Sequence, residues 1–225
     1  MAVGKSAQKS AREPAKDPPR WRRRKEARPQ EIVDAALEVF AERGFAAARL
    51  DDVASRAGVS KGTLYLYFPN KEELFKAVVR AAIVPNLELA ERMLAESQGP
   101  SFAILEALLT AIAGRILRSR VAVIPKLIIA EAGNFPDLAR FYYDEVIRRG
   151  FAVLAALLAR GIERGEFRPV DIDATVRLII APMLMSALWR SAFEAVEGRP
   201  LDVAGLVRAH LDQLRRALAP EEGGP

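Results

Sequence analysis

Apolar residues recur at helical spacing along most of the chain from Ile32 onward. Ile32, Val33, Ala36, Leu37 and Phe40 form one stripe of a first helix, running from about Pro29 to Arg43 and stopped by Gly44. Leu50, Val53, Ala54 and Ala57 mark a second helix near 50–57, closed by Gly58. Ser60 is placed to cap a third over 61–67, whose Leu64 points inward. Asn70 with Glu73 forms a near capping box ahead of a fourth helix carrying Leu74, Phe75, Val78 and Val79, which Pro85 should kink or end. Further helices are predicted near 86–97, 102–118, 121–132, 137–164, 172–197 and 201–218. Gly99-Pro100, Ser119-Arg120, Gly133–Pro136, Gly165–Pro169 and Gly198–Pro200 separate them. No stretch alternates as a strand would. The predicted fold is all-α: a small three-helix N-terminal unit and a larger helical body, about nine helices. The expected divisions are 1–28, 29–70 and 71–225.

Composition narrows the chemistry. Among 225 residues, 51% hydrophobic, there is no cysteine, which excludes disulfides, thiolate metal sites and a cysteine nucleophile. His210 is the single histidine, so a histidine metal site or catalytic triad is not expected; it reads as a surface or interface residue of the last helix. With no phosphate-binding loop and no paired acidic motif, the chain reads as a non-enzyme without metal or cofactor. The polar N-terminus has no apolar signal core, and the apolar runs, such as Leu178–Trp189, fall short of the roughly 20 residues of a membrane span. A cytoplasmic location without membrane contact is the expectation.

The positive charge is concentrated at one end. Residues 1–28 hold 10 Lys/Arg against 3 Asp/Glu, while the remainder carries 24 against 26. This polar, Pro-containing segment is expected to be disordered when free. Its block Arg20–Lys25, RWRRRK, adjoins the first helix and suits a DNA backbone or minor groove, or equally a solvated tail.

Residues 49–71, RLDDVASRAGVSKGTLYLYFPNK, carry the most information. Two short helices joined by a tight turn containing Gly form the helix-turn-helix pattern, whose second helix reads base edges while the first braces the backbone. Lys61 can reach a guanine edge or a phosphate, and Thr63 a phosphate or a thymine methyl. Gly62 permits close approach, and the Tyr65 and Tyr67 hydroxyls can donate to phosphates. Lys71 adds charge to a helix N-terminus.

The run D-D-V-A-x-x-A-G-V-S-K-G-T-L-Y-x-Y-F-x-N-K-E-x-L resembles the DNA-binding domain of tetracycline-repressor (TetR) family regulators over roughly residues 26–86. The resemblance implies DNA contacts at Lys61, Gly62, Thr63, Tyr65, Tyr67 and Lys71, with Ser60 beside them. The family usually places Ser or Thr near positions 48 and 49; here they are Ala48 and Arg49. The usual cap of the second helix is therefore missing, with Asp51 or Asp52 left to favour the helix dipole and Arg49 to replace a phosphate contact.

A head this small needs two copies for specificity, so a homodimer on a palindromic operator is expected. The last two helices are the expected interface, through Met183, Ala187, Leu206, His210 and Leu214. The resemblance implies that the body binds a small-molecule effector. Its large apolar side chains, Phe102, Leu105, Phe141, Tyr142, Phe151, Met183, Met185, Trp189 and Phe193, are candidates for an adaptable pocket as well as for ordinary core. Arg115 and Glu131 are candidate polar groups of that pocket. The function expected is a transcriptional repressor released by a lipophilic or aromatic compound, with a shift of the fourth helix, hinged near Pro85, as the link. An activator of the same family and a low-specificity architectural DNA-binding protein are the alternatives.

Overall fold

The computed structural model describes residues 20–117 and 119–220, and every regular element among them is helical. The head comprises α1 (Arg20–Ala47), broken as expected at Gly44 where φ is +77° so that Phe45–Ala47 form a separate turn, then α2 (Leu50–Arg56) and α3 (Lys61–Tyr67), followed by α4 (Lys71–Ala82). The body comprises α5 (Val84–Glu96), α6 (Ser101–Ile112), α7 (Val123–Glu131), α8 (Pro136–Tyr142), α9 (Arg148–Glu163), α10 (Ile172–Ala192), the single turn α11 (Glu194–Glu197) and α12 (Val203–Leu218). Two π-helical stretches, Ala113–Leu117 and Tyr143–Ile147, continue α6 and join α8 to α9.

Two boundaries differ from expectation. The first helix starts at Arg20, leaving Pro29 inside it. Arg, Lys, Glu and Ala are good helix formers, and lengthening a formed helix adds one bond per residue fixed. A low apolar content does not by itself disfavour a helix. The disorder expected for residues 1–28 therefore does not extend to 20–28, while residues 1–19 and the side chains of Arg20–Lys25 lie outside the described set. Secondly, α4 does break next to Pro85, but at Ile83, two residues before it, and Pro85 occupies the first turn of α5, where its missing N–H costs nothing.

The apolar residues form two cores. The first joins α1–α4 to α7 and α8, with Phe40, Phe45 and Phe75 meeting at ring distances of 5.2–5.7 Å. The second gathers α6, α9, α10 and α12. The head thus packs directly on the body, and its core runs across residue 70.

The second core has one close backbone approach. The Phe167 ring, itself buried, lies where a side chain at Gly161 would sit. Overpacking of this kind costs roughly 1–3 kcal/mol. Gly161→Ala is expected to lower the thermal midpoint, measured by calorimetry, without altering the head.

Candidate nucleic-acid interface and body cavity

The reading head is shaped by local caps. Gly58 takes φ +63°, and the turn after α2 is closed by Val59 N donating to Ala54 O at 3.0 Å and Gly58 N to Ser55 O at 3.2 Å. Ser60 Oγ accepts from Thr63 N at 3.1 Å, starting α3. Arg49 occupies the N-cap of α2 with no side-chain cap bond, and Asp51 and Asp52 stand in the first turn, where negative charge favours the helix dipole. Arg43 pairs with Asp52 at 2.6 Å, and Arg56 grips Glu42 with two bonds of 2.7 Å, fastening α2 to α1.

The expected DNA contacts fall into three groups. Arg49, Ser60, Lys61, Gly62 and Tyr65 are exposed along one side of α2–α3, around the outward face of α3. Thr63 and Tyr67 are half-buried; the Thr63 hydroxyl is 2.8 Å from that of Ser60, and the Tyr67 ring lies 6.5 Å from Phe68. Lys71 turns inward: Nζ donates to Ala46 O at 2.8 Å and Ala48 O at 3.2 Å and sits 4.7 Å from the Phe45 ring centroid. Burial pulls its ammonium below the usual lysine pKa. Lys71 thus binds the chain at the end of α1. Leu66, absent from the expected set, is 84% exposed on the same outward face. Its position four residues after Gly62 and two after buried Leu64 was the available signal.

Lys61 pairs with Asp51 at 2.9 Å, and this hydrogen bond holds its pKa above the usual lysine value. A cation that meets phosphate releases counterions, so Lys61→Ala is expected to lower the slope of log affinity against log salt by about one. Lys71→Ala is expected to leave that slope unchanged and to lower the thermal midpoint. Fluorescence anisotropy across a salt series, with a melting curve for each variant, checks both.

A cavity of about 380 Å³ lies between the two cores. Its walls come from α5, α6, α7, α8, α9, α10 and both π-helical stretches, and among the described residues no Asp, Glu, Lys, Arg or His lines it. Asn86 and Tyr142 supply its polar side chains. Burial pushes the Tyr142 phenol above its usual pKa, so it stays protonated. Such a volume falls in the range of small-molecule sites, roughly 300–1,000 Å³.

Of the expected pocket residues, Tyr142, Phe151 and Met183 line this cavity and the others do not. Leu105 is fully buried in the second core. Phe102 stacks under Arg215, and Phe141 under Lys76 and Arg80. Arg115 is exposed, as are Met185, Trp189 and Phe193 on the outer side of α10. Met183 and Ala187, expected at the dimer interface, line the cavity at 3% and 2% exposure. His210 is buried with Nε2 3.0 Å from Ile179 O, Leu214 belongs to the second core, and Leu206 packs against it. On α10, Met183 and Ala187 therefore face the cavity, and Met185 and Trp189 face outward. This helix is apolar on nearly every side, so period alone does not select its inner face. Against expectation, α10 is also long and apolar enough to cross a membrane by length and composition; its inner face belongs to the second core.

Glu131, at the end of α7, is buried outside the cavity. Its carboxylate accepts from Ala46 N at 3.3 Å and from Asn134 Nδ2 at 3.1 Å. Beside it, Phe135 meets Phe45 edge-on at 5.0 Å. The same helix turns Pro125, Ile128 and Ile129 to the cavity. Among the described residues, no group of three or more His, Cys, Asp or Glu is placed to hold a metal.

Comparison with known proteins agrees with this architecture. Residues 32–78 match the family described as bacterial regulatory proteins, tetR family, and residues 95–204 match the tetracyclin repressor-like C-terminal domain. The transcriptional repressor KstR2 of Rhodococcus jostii is 30% identical over 167 residues, covering 73% of this chain and 80% of its own. The fatty acid metabolism regulator protein of Bacillus subtilis is 28% identical over 149 residues, covering 64% and 74%. Among solved structures, KstR2 of Mycobacterium tuberculosis superposes with a TM-score of 0.67 at 27% identity, covering 86% of this chain and 96% of its own. The B. subtilis regulator FadR, solved in complex with stearoyl-CoA, gives 0.72 at 22% identity over 84% and 98%. With both parts of the chain matched, and in the order the caps and cores require, the chain belongs to the tetR family of bacterial transcription regulators.

Proposed function

We propose that this regulator is a homodimeric repressor, released from its operator when an uncharged lipophilic molecule occupies the body cavity. The observation that carries the reading is an apolar cavity walled in part by α7, whose last residue grips the head. An unpaired charge buried in such a wall costs several kcal/mol. The ligand therefore enters without charge, or keeps its charged end outside. Of the two relatives solved as structures, one is a ketosteroid regulator and the other holds stearoyl-CoA, whose apolar acyl chain is joined to a charged coenzyme A end.

The outward face of α10, with Leu178, Met185, Trp189 and Phe193 exposed, supplies the apolar surface for the dimer. A tilted Trp189–Phe193 pair at 5.2 Å, with the indole N–H on Glu197 at 2.7 Å, fixes its end. Two heads held by such a body read half-sites at groove spacing.

α7 links the two functions. It faces the cavity at Pro125, Ile128 and Ile129, packs against the first core at Ile124 and Leu127, and ends at Glu131 on Ala46. Both π-helical stretches border the cavity, placing irregular backbone where walls must adjust. Filling the cavity moves α7 against the Phe45–Ala48 turn and changes the angle of the head. Coupling in regulators of this kind is roughly 1–3 kcal/mol, a five- to 150-fold loss of DNA affinity. A ligand that binds both states equally does nothing.

The reading is tested by anisotropy on the DNA upstream of the protein's own gene against a scrambled duplex. Preference for the native duplex by about a thousandfold is expected. In the presence of that complex, 1-dodecanol is expected to release DNA, with dodecanoate at least about tenfold weaker. Equal action of the two would remove the uncharged-ligand claim. Ala111→Phe, which fills the cavity, is expected to blunt the response to the alcohol while keeping DNA affinity.

Glu131→Gln keeps the shape of the clasp and removes its charge. It is expected to retain operator binding within about threefold and to lose most of the ligand response. An undiminished response, measured by the same titration, would remove α7 from the route.

A further inference from the structure

We propose that Leu66 is a base-reading residue, which recognises the 5-methyl group of a thymine in each operator half-site. This rests on the DNA-binding reading above and adds a base to it. Among the described residues of the head, the large hydrophobic side chains that stand exposed are Tyr65 and Leu66, both on α3. Leu66, at 84%, is the more exposed of the two, and its partner across the helix, Leu64, is fully buried. The fold gains nothing from leucine at this position, since any polar residue would fit there.

Gly62 lies one turn before Leu66 on the same face. A side chain added at Gly62 would meet nothing nearer than Ser60 Oγ at 3.9 Å, and its backbone is not in the left-handed region. Nothing inside the protein therefore requires a glycine, which costs helix stability relative to alanine. One face of a seven-residue helix thus carries a missing side chain and an exposed apolar one, neither of which the fold explains. A surface that approaches closely at Gly62 and offers an apolar group one turn on accounts for both. In the major groove that apolar group is the thymine methyl, since the other base edges there are donors and acceptors. Lys61 and Tyr65 flank this row and suit phosphate or guanine, which leaves the methyl contact to Leu66.

The test begins with selection from a random-core duplex library by the full-length protein and by Leu66→Ala. The wild type is expected to enrich a motif with a fixed thymine in each half-site, and the variant to lose preference there while keeping the rest of the motif. Replacing that thymine by deoxyuridine deletes the methyl alone. Wild-type affinity is expected to fall about fourfold per half-site, the value of one buried methyl-sized group. Leu66→Ala should bind the two duplexes equally, and Leu66→Met should retain the discrimination. Unaltered thermal midpoints establish that both variants fold. Identical thymine preference in wild type and Leu66→Ala, or indifference of the wild type to deoxyuridine at every thymine, overturns the proposal. Absence of any enriched motif with the wild type would instead overturn the sequence-specific DNA-binding reading on which it rests.

Discussion

The turn between α1 and α2 is held by three side chains, and the geometry of the reading head depends on it. Lys71, from the start of α4, ties down the Ala46 and Ala48 carbonyls and covers the Phe45 ring. Glu131, from the end of α7, takes the Ala46 amide, and Phe135 closes on Phe45 from the same side. Because Phe45 also meets Phe40 and Phe75, one aromatic group belongs to the head, to α4 and to the body together. An exposed hydrogen bond would contribute little here, but bonds to charged groups in partly buried settings are worth roughly 1.5–3 kcal/mol. That is the same size as the coupling such regulators need. The clasp is therefore strong enough to fix the head and weak enough to be given up.

The cavity lies where this clasp can feel it. It separates the core shared by head and α7–α8 from the core built by α6, α9, α10 and α12. Residues from both sides face each other across it, Ile83 and Ile128 from the first, Leu154 and Met183 from the second. α5 has no buried residue and closes over the space. A ligand there buries apolar area against both cores at once, and the element common to cavity and clasp is α7. The absence of charged residues among those described in the wall sets the chemistry of the ligand more firmly than its volume does.

How much of this was legible in the sequence varied with the range of the interaction. Gly58, Ser60 and Asn70 were legible because caps are local: each needs one residue type at one offset from a helix end. The missing cap at Arg49 was legible for the same reason. The bonds of Lys71 to Ala46 and Ala48 were not legible, because these partners lie more than twenty residues back and nothing in its own neighbourhood marks it as turned inward. On α10 the sequence offers apolar residues on all sides, and only packing separates Met183 and Ala187 inside from Met185 and Trp189 outside. The helix over Arg20–Ala27 was not legible, because its charged residues lack an apolar stripe while remaining good helix formers. The cavity itself was not legible, since its wall is assembled from six helices and two π-helical stretches distant in sequence.

The central claim is that filling the cavity opens the clasp at Ala46. The Ala46 amide reports this directly, because Glu131 is its hydrogen-bond acceptor. We would follow its hydrogen exchange by NMR in the dimer, with and without saturating 1-dodecanol. The Thr63 and Glu73 amides, bonded to the caps Ser60 and Asn70, serve as internal standards. The account requires Ala46 to exchange faster with the cavity filled, by about tenfold or more, while the two standards keep their rates. Bound ligand with Ala46 exchange unchanged would contradict it, and would leave the cavity without a route to the head through α7.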